Sequence, residues 1–169
     1  FEYLKAGTSA FHVISHSKKV LTKAGFQELK LKETWNLEKG GRYFCVPFDT
    51  TLYAFTIGEN CDLSNGIHIG GAHTDFPAIK IKPNPEIFSH GHMQLNTEVY
   101  GGPILSTFFD RPLSLSGKVV TRGERYDKPV VHLLDFEAPV LYLPNLAIHM
   151  NREVNEKGVE FYHKLFAEC

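Results

Sequence analysis

Ile67-His68-Ile69-Gly70-Gly71-Ala72-His73-Thr74-Asp75 is the stretch on which the reading turns. An apolar, strand-like run ends in small residues, and a His-x-Asp follows at once. A buried strand fixes the backbone, glycines let it turn tightly, and an imidazole and a carboxylate emerge together at its end. Neutral imidazole is a good zinc donor. Asp75, with only Thr74 between them, is near enough to orient the His73 ring or to ligate beside it. A His-x-Asp taken alone is more often a local hydrogen bond than a metal site. The glycines and the rest of the chain tip the balance. Because Ile67–Gly70 is apolar without alternation, it reads as a central strand of an α/β layered domain. Asn65-Gly66 is the turn that leads into it.

Upstream, Ser9 to Ala24 reads as an amphipathic helix. Ala10, Val13, Ile14, Leu21 and Ala24 fall near one face, Ser9 is a plausible N-cap, and Gly25 is a stop with Lys23 in the last turn. His12 and His16 lie one helical turn apart and could share a metal, although a half-exposed pair on a solvated helix is commoner. Strands are expected at Arg42–Pro47 and Thr51–Ile57, which are rich in β-branched and aromatic residues.

Downstream, the alternation of Ala78-Ile79-Lys80-Ile81-Lys82 fits a half-exposed strand. Pro83-Asn84-Pro85 is expected to break it and to mark a domain boundary at 82/83. His90-Gly91-His92 reads as a solvated loop before a metal site. Strands are expected at Thr97–Tyr100, Leu113–Thr121, Pro129–Phe136, Val140–Leu143 and Leu146–Met150, with a hairpin-like connection at 122–127. Val159–Phe166 is ambiguous between helix and strand.

Composition narrows the function classes. The chain has 169 residues, with 18 basic and 19 acidic side chains, so a general affinity for nucleic acid or an anionic membrane is not expected. No uninterrupted apolar run approaches the roughly 20 residues that span a bilayer. The first residues lack the pattern of a signal peptide, and Phe1 in place of Met gives the expectation of a missing or processed start. The three cysteines, Cys45, Cys61 and Cys169, are odd in number and widely spaced. A disulfide framework or thiolate zinc site is therefore not expected, and a reducing cytoplasm is. Neither a Gly-x-Ser-x-Gly elbow nor a phosphate-cradling Gly-x-x-x-x-Gly-Lys loop occurs, which leaves no support for a serine hydrolase or a nucleotide enzyme.

Three motifs stand in register: Gly71-Ala72-His73-Thr74-Asp75; Glu98 through Gly101-Gly102-Pro103 to Phe109-Asp110-Arg111-Pro112-Leu113; and Asn145-Leu146-Ala147-Ile148-His149-Met150-Asn151-Arg152-Glu153. In order and separation they resemble the N-terminal part of the aspartyl aminopeptidase family of dinuclear zinc exopeptidases. Ser9-Ala10-Phe11-His12 and Ala24-Gly25-Phe26 resemble that family's opening helix.

The resemblance implies a three-layer α/β zinc-exopeptidase-like catalytic domain, here residues 1–82, followed by a β-rich inserted dimerisation domain, residues 83–169. It implies release of an N-terminal Asp or Glu from peptides by zinc-activated water, two Zn2+ per complete site with other divalent metals possible, and assembly of dimers into dodecamers. Carried over residue by residue, His73 matches the first zinc ligand and Asp75 the catalytic carboxylate that supports it. His149 matches a histidine lent to the neighbouring subunit's site, where it contacts substrate and serves catalysis. Asp110 and Arg111 match a pair read as structural, able to lock a turn by bidentate bonding.

Phe76 stands where a small serine is common, and Leu105 and Phe108 where tryptophan is. The bridging aspartate, the Glu-Glu pair and the remaining ligands of the family have no counterpart here. The chain is therefore expected to be part of a longer enzyme and inactive by itself. The alternative is a short non-catalytic relative that acts as a dimerisation or regulatory module.

Overall fold

The computed structural model describes residues 1–161 and 164–167, apart from the side chain of residue 63. Contacts divide the chain into two compact units, Phe1–Phe76 and the residues from Pro77 onward.

The first unit is a mixed α/β arrangement. Helices α1 (Glu2–Ala6) and α2 (Ala10–Lys23) precede strands β1 (Gln27–Glu28), β2 (Arg42–Phe48) and β3 (Thr51–Thr56). Ser9 caps α2 as expected: its hydroxyl accepts from the His12 amide at 3.4 Å. Gly25, just past the helix, takes a left-handed φ of 81° that a side chain would resist. The apolar face of α2 buries Val13 and Ile14.

β2 is central, parallel to β1 and antiparallel to β3. The strand period sends Tyr43 and Cys45 to one face, where they pack with Leu29, Phe55 and Ile57, and fully buried Phe44 to the other. Lys18 and Lys30 both reach the Glu28 carboxylate, at 2.9 and 3.0 Å, which ties α2 to β1. The Lys18 hydrogen bond is the main reason that this carboxyl sits below its ordinary pKa.

The expected central strand at 67–70 does not form. A 3-10 turn at Leu63–Asn65 precedes it, and Ile67 and Ile69 remain 74% and 88% exposed. The reason is physical. A strand exists by exchanging backbone hydrogen bonds with a neighbour, and among the described residues no strand pairs with 67–70.

The second unit is mostly β. Its elements are β4 (Ala78–Ser89), β5 (His92–Tyr100), a 3-10 turn (Leu105–Phe108), β6 (Pro112–Leu113), β7 (Ser116–Thr121), β8 (Val130–Asp135), β9 (Leu141–Tyr142), α3 (Val154–Lys157) and β10 (Lys164–Ala167). One sheet runs β4-β5-β10-β9-β6, and β7 pairs with β8 as a separate ribbon. Phe109, Leu141, Leu143 and Leu165 form the core of this unit.

Several expectations change here. Pro83-Asn84-Pro85 lies within β4. The ladder skips from Ile81↔Thr97 to Glu86↔Leu95, so the prolines, which cannot donate, are absorbed in a bulge with Asn84 at φ 51°. His90-Gly91, with His92 already the first residue of β5, is exposed, as the solvated-loop reading expects, and forms the tight turn of the β4–β5 hairpin. Its φ values of 51° and 80° suit a type I′ turn, closed by the Ser89↔His92 pair. The run expected as one strand from Leu113 to Thr121 is split between β6 and β7.

Leu146–Met150, expected as a strand, is a turn: the Met150 amide donates to the Ala147 carbonyl at 2.8 Å, and Asn151 donates to Ala147 at 3.2 Å. These local bonds consume the groups a ladder would use. Of the ambiguous Val159–Phe166 segment, the part from Lys164 is strand β10, and Tyr162 and His163 lie outside the described residues.

Candidate functional site

The His73 loop is stitched to the β2–β3 turn. Thr74 donates its hydroxyl to the Thr50 carbonyl at 2.8 Å. With its neighbour held, His73 folds back on its own chain. Its Nδ1 lies 2.6 Å from the Asp75 carbonyl oxygen and 3.6 Å from the Asp75 carboxylate. A carbonyl only accepts, so Nδ1 carries a proton in this contact, and in the neutral form of the ring the lone pair lies on Nε2. The His73 side chain is 81% exposed, which leaves that lone pair open to a ligand. The Asp75 backbone carbonyl thus makes the nearer contact to the ring, where spacing left the carboxylate either to orient the ring or to ligate beside it. Thr50 and Thr74 were not singled out from sequence, and nothing in their spacing announces the bond between them.

His149 belongs to the second unit, exposed within the 147–151 turn. The segment leading to it is held by Asp110. The Asp110 carboxylate accepts from the Asn145 amide at 2.9 Å, from the Asn145 side-chain Nδ2 at 2.7 Å and from the Tyr142 hydroxyl at 3.2 Å. These bonds, the Asn145 amide first, hold the carboxyl below its usual range. Desolvation, and then the Asp110 charge, raise the Tyr142 phenol. The expected lock between Asp110 and Arg111 is not made. Arg111 instead donates to the Thr107 carbonyl at 3.2 Å. With Asp110 at a left-handed φ of 53°, its carboxylate is spent on Asn145 and Tyr142.

Four further histidines have local occupations. His12 Nδ1 contacts the Ser9 hydroxyl at 2.8 Å, and His16 lies edge-on to Tyr3 at 5.3 Å, so the helical pair is divided between two jobs. His90 contacts Ser89, and His92 lies edge-on to Phe166.

His73 offers an exposed imidazole whose Nδ1 is already engaged, beside a carboxylate, and zinc accepts both donor types. Among the described residues no three His, Cys, Asp or Glu side chains gather to hold a metal ion. His73 and Asp75 fit the opening part of a zinc site and fall short of the roughly three protein ligands that a catalytic zinc takes. Among the described residues no helix is long and apolar enough to cross a membrane.

An exposed imidazole held to its own backbone on a mixed α/β unit does not by itself define a class of protein, and comparison supplies the class. The family described as aminopeptidase I zinc metalloproteases (M18) matches residues 3–164. The chain belongs to that family. A relative from Clostridium novyi, named probable M18 family aminopeptidase 2, is 46% identical over 160 residues, which cover 94% of this chain and 37% of the relative. A like-named protein of Clostridium acetobutylicum is 48% identical, over 91% of this chain and 36% of its own length. The chain therefore spans a little over a third of the curated relatives it matches. Among solved structures, the complex of Ape4 and Nbr1 aligns with a TM-score of 0.89 at 30% identity, covering 98% of this chain and 32% of the other. Chaetomium thermophilum mApe1 aligns at 0.78 and 30% identity, covering 94% and 36%.

Proposed function

We propose that this chain is the N-terminal part of a metalloaminopeptidase that releases an N-terminal Asp or Glu from peptides. His73 is its first zinc ligand, Asp75 the residue that steadies it, and His149 a substrate contact offered to a neighbouring subunit. The observation that carries the reading is the 2.6 Å contact from His73 Nδ1 to the Asp75 carbonyl. It commits one ring nitrogen and frees the other for metal. When bound, zinc supplies Lewis acidity that polarises a scissile carbonyl and acidifies water. The chain's own work is to hold one imidazole in the binding tautomer through Asp75, to hold that loop through Thr74 and Thr50, and to present His149 where an oxyanion develops.

Residues 1–82 are read as the first part of the three-layer catalytic domain and residues 83–169 as the inserted dimerisation domain. The family match and the similarity to the Saccharomyces cerevisiae mApe1 dodecamer, at a TM-score of 0.76, favour a fold that assembles with copies of itself, through dimers to a dodecamer. The separate β7–β8 ribbon, with Val120, Val131 and Phe136 at least half exposed, supports an assembly role. The wide cysteine spacing favours a cytoplasmic setting.

The test uses the whole protein. His73→Ala should remove activity on an Asp-terminated peptide and lower bound zinc, and unchanged zinc would exclude the ligand role. His149→Phe should cut turnover with zinc retained, and full turnover would make that histidine structural.

A further inference from the structure

We propose that Asp110 is a positioning residue for His149, its carboxylate pinning the start of the loop that carries the imidazole; this rests on the reading of His149 as a substrate contact. The local problem is set by two prolines. β6 and β9 pair through Pro112↔Tyr142 and Leu113↔Leu141. Pro112 and Pro144 bring no N–H to continue that ladder toward the loop.

Asp110 extends the pairing without them. Its own amide donates to the Leu143 carbonyl at 3.0 Å, and its carboxylate accepts from the Asn145 amide at 2.9 Å. The second carboxylate oxygen takes the Asn145 side chain at 2.7 Å. Backbone and side chain thus grip Leu143 and Asn145 from either side of Pro144. Buried Phe109 and Leu143 seat the grip on the core. Beyond Asn145, Leu146 and Ile148 line an open pocket with Val154 and Val159. The turn bonded at Ala147 then delivers His149. Two fixings, one at each end of a short segment, hold the backbone that carries the imidazole, and orientation of that kind is where catalytic rate is gained.

The test has two arms. In the whole protein, Asp110→Ala should shift and broaden the ring resonance of His149. The His92 ring, seated against Phe166 in the same unit, should stay unchanged and report that the sheet stands. Exchanging the partners, Asp110→Asn with Asn145→Asp, restores a donor facing an acceptor and should return the His149 signal. If the single variant disturbs His92 as well, recovery by the exchanged pair decides. An unmoved His149 signal in Asp110→Ala, or no recovery in the exchanged pair, overturns the proposal.

In the whole protein, Asp110→Ala should lower kcat about tenfold or more with zinc content full, and the exchanged pair should regain most of it. Undiminished kcat in Asp110→Ala, where His149→Phe is costly, also overturns it. If His149→Phe costs nothing, the reading of His149 falls by itself, and the resonance arm still judges Asp110.

Discussion

Replacing Phe44 tests the packing that supports the His73 loop. Phe44 is 0% exposed and sits in the middle of β2, the strand paired on both edges. β2 and β3 meet at the turn whose Thr50 carbonyl holds Thr74. Burying such a ring is worth about 1.5–3 kcal/mol, and truncation to alanine adds the cost of the void, for a total of about 3–5 kcal/mol. Phe44→Leu refills most of the space and should cost about 1 kcal/mol. At roughly 0.05–0.15 kcal/mol per residue, a unit spanning Phe1–Phe76 has about 4–11 kcal/mol to lose, so the alanine variant takes a large share of it. Trp35, the single tryptophan, lies in this unit with its ring 6.4 Å from Phe55. Urea unfolding followed by its fluorescence should therefore show a lower midpoint at unchanged slope. A loss below about 1 kcal/mol for Phe44→Ala, or equal losses for Ala and Leu, would refute the view that this ring fills a close-packed core.

Two further outcomes follow from the hydrogen bonds. Thr74→Val keeps the shape and deletes the bond to Thr50, an interaction worth about 1 kcal/mol; the whole protein's zinc affinity should fall about fivefold, and an unchanged affinity in a metal-competition titration would detach this bond from the site. Asp110 has a depressed carboxyl pKa in the folded state, so its contribution is complete above the ordinary value of 3.8 and disappears as pH falls through the lower folded value. The Asn145 amide resonance should follow that titration with a midpoint below 3.8, and a midpoint at or above it would contradict the clamp.

Helix α2 was legible because its information is local. Apolar spacing, a serine at the start and a glycine just past the end all act within a few residues. The two hairpin strands β2 and β3 were legible for the same reason. Ile67–Gly70 does not form the expected strand because its two isoleucines tell what the segment prefers to touch, while a strand also needs a neighbour's backbone. Leu146–Met150 was misread because its apolar content suits a strand equally well, and the bonds to Ala147 that make it a turn leave no mark in composition. Pro83-Asn84-Pro85 did what prolines do, yet a bulge absorbed it. At the site, His73 beside Asp75 could be seen directly. The partnership of Asp110 with Asn145 could not, since the two lie far apart in sequence and meet only when β6 pairs with β9.

The bulge in β4 also guards the sheet. β4 is one outer strand, and short β6, which begins at Pro112, is the other. An unpaired strand margin is a template on which a foreign chain can lengthen the sheet toward fibrils. Pro83 and Pro85 delete donors from one margin, and left-handed Asn84 bends it out of line. On the opposite side the margin is too brief to template anything. Growth of this sheet by strand addition is thus hindered at both rims.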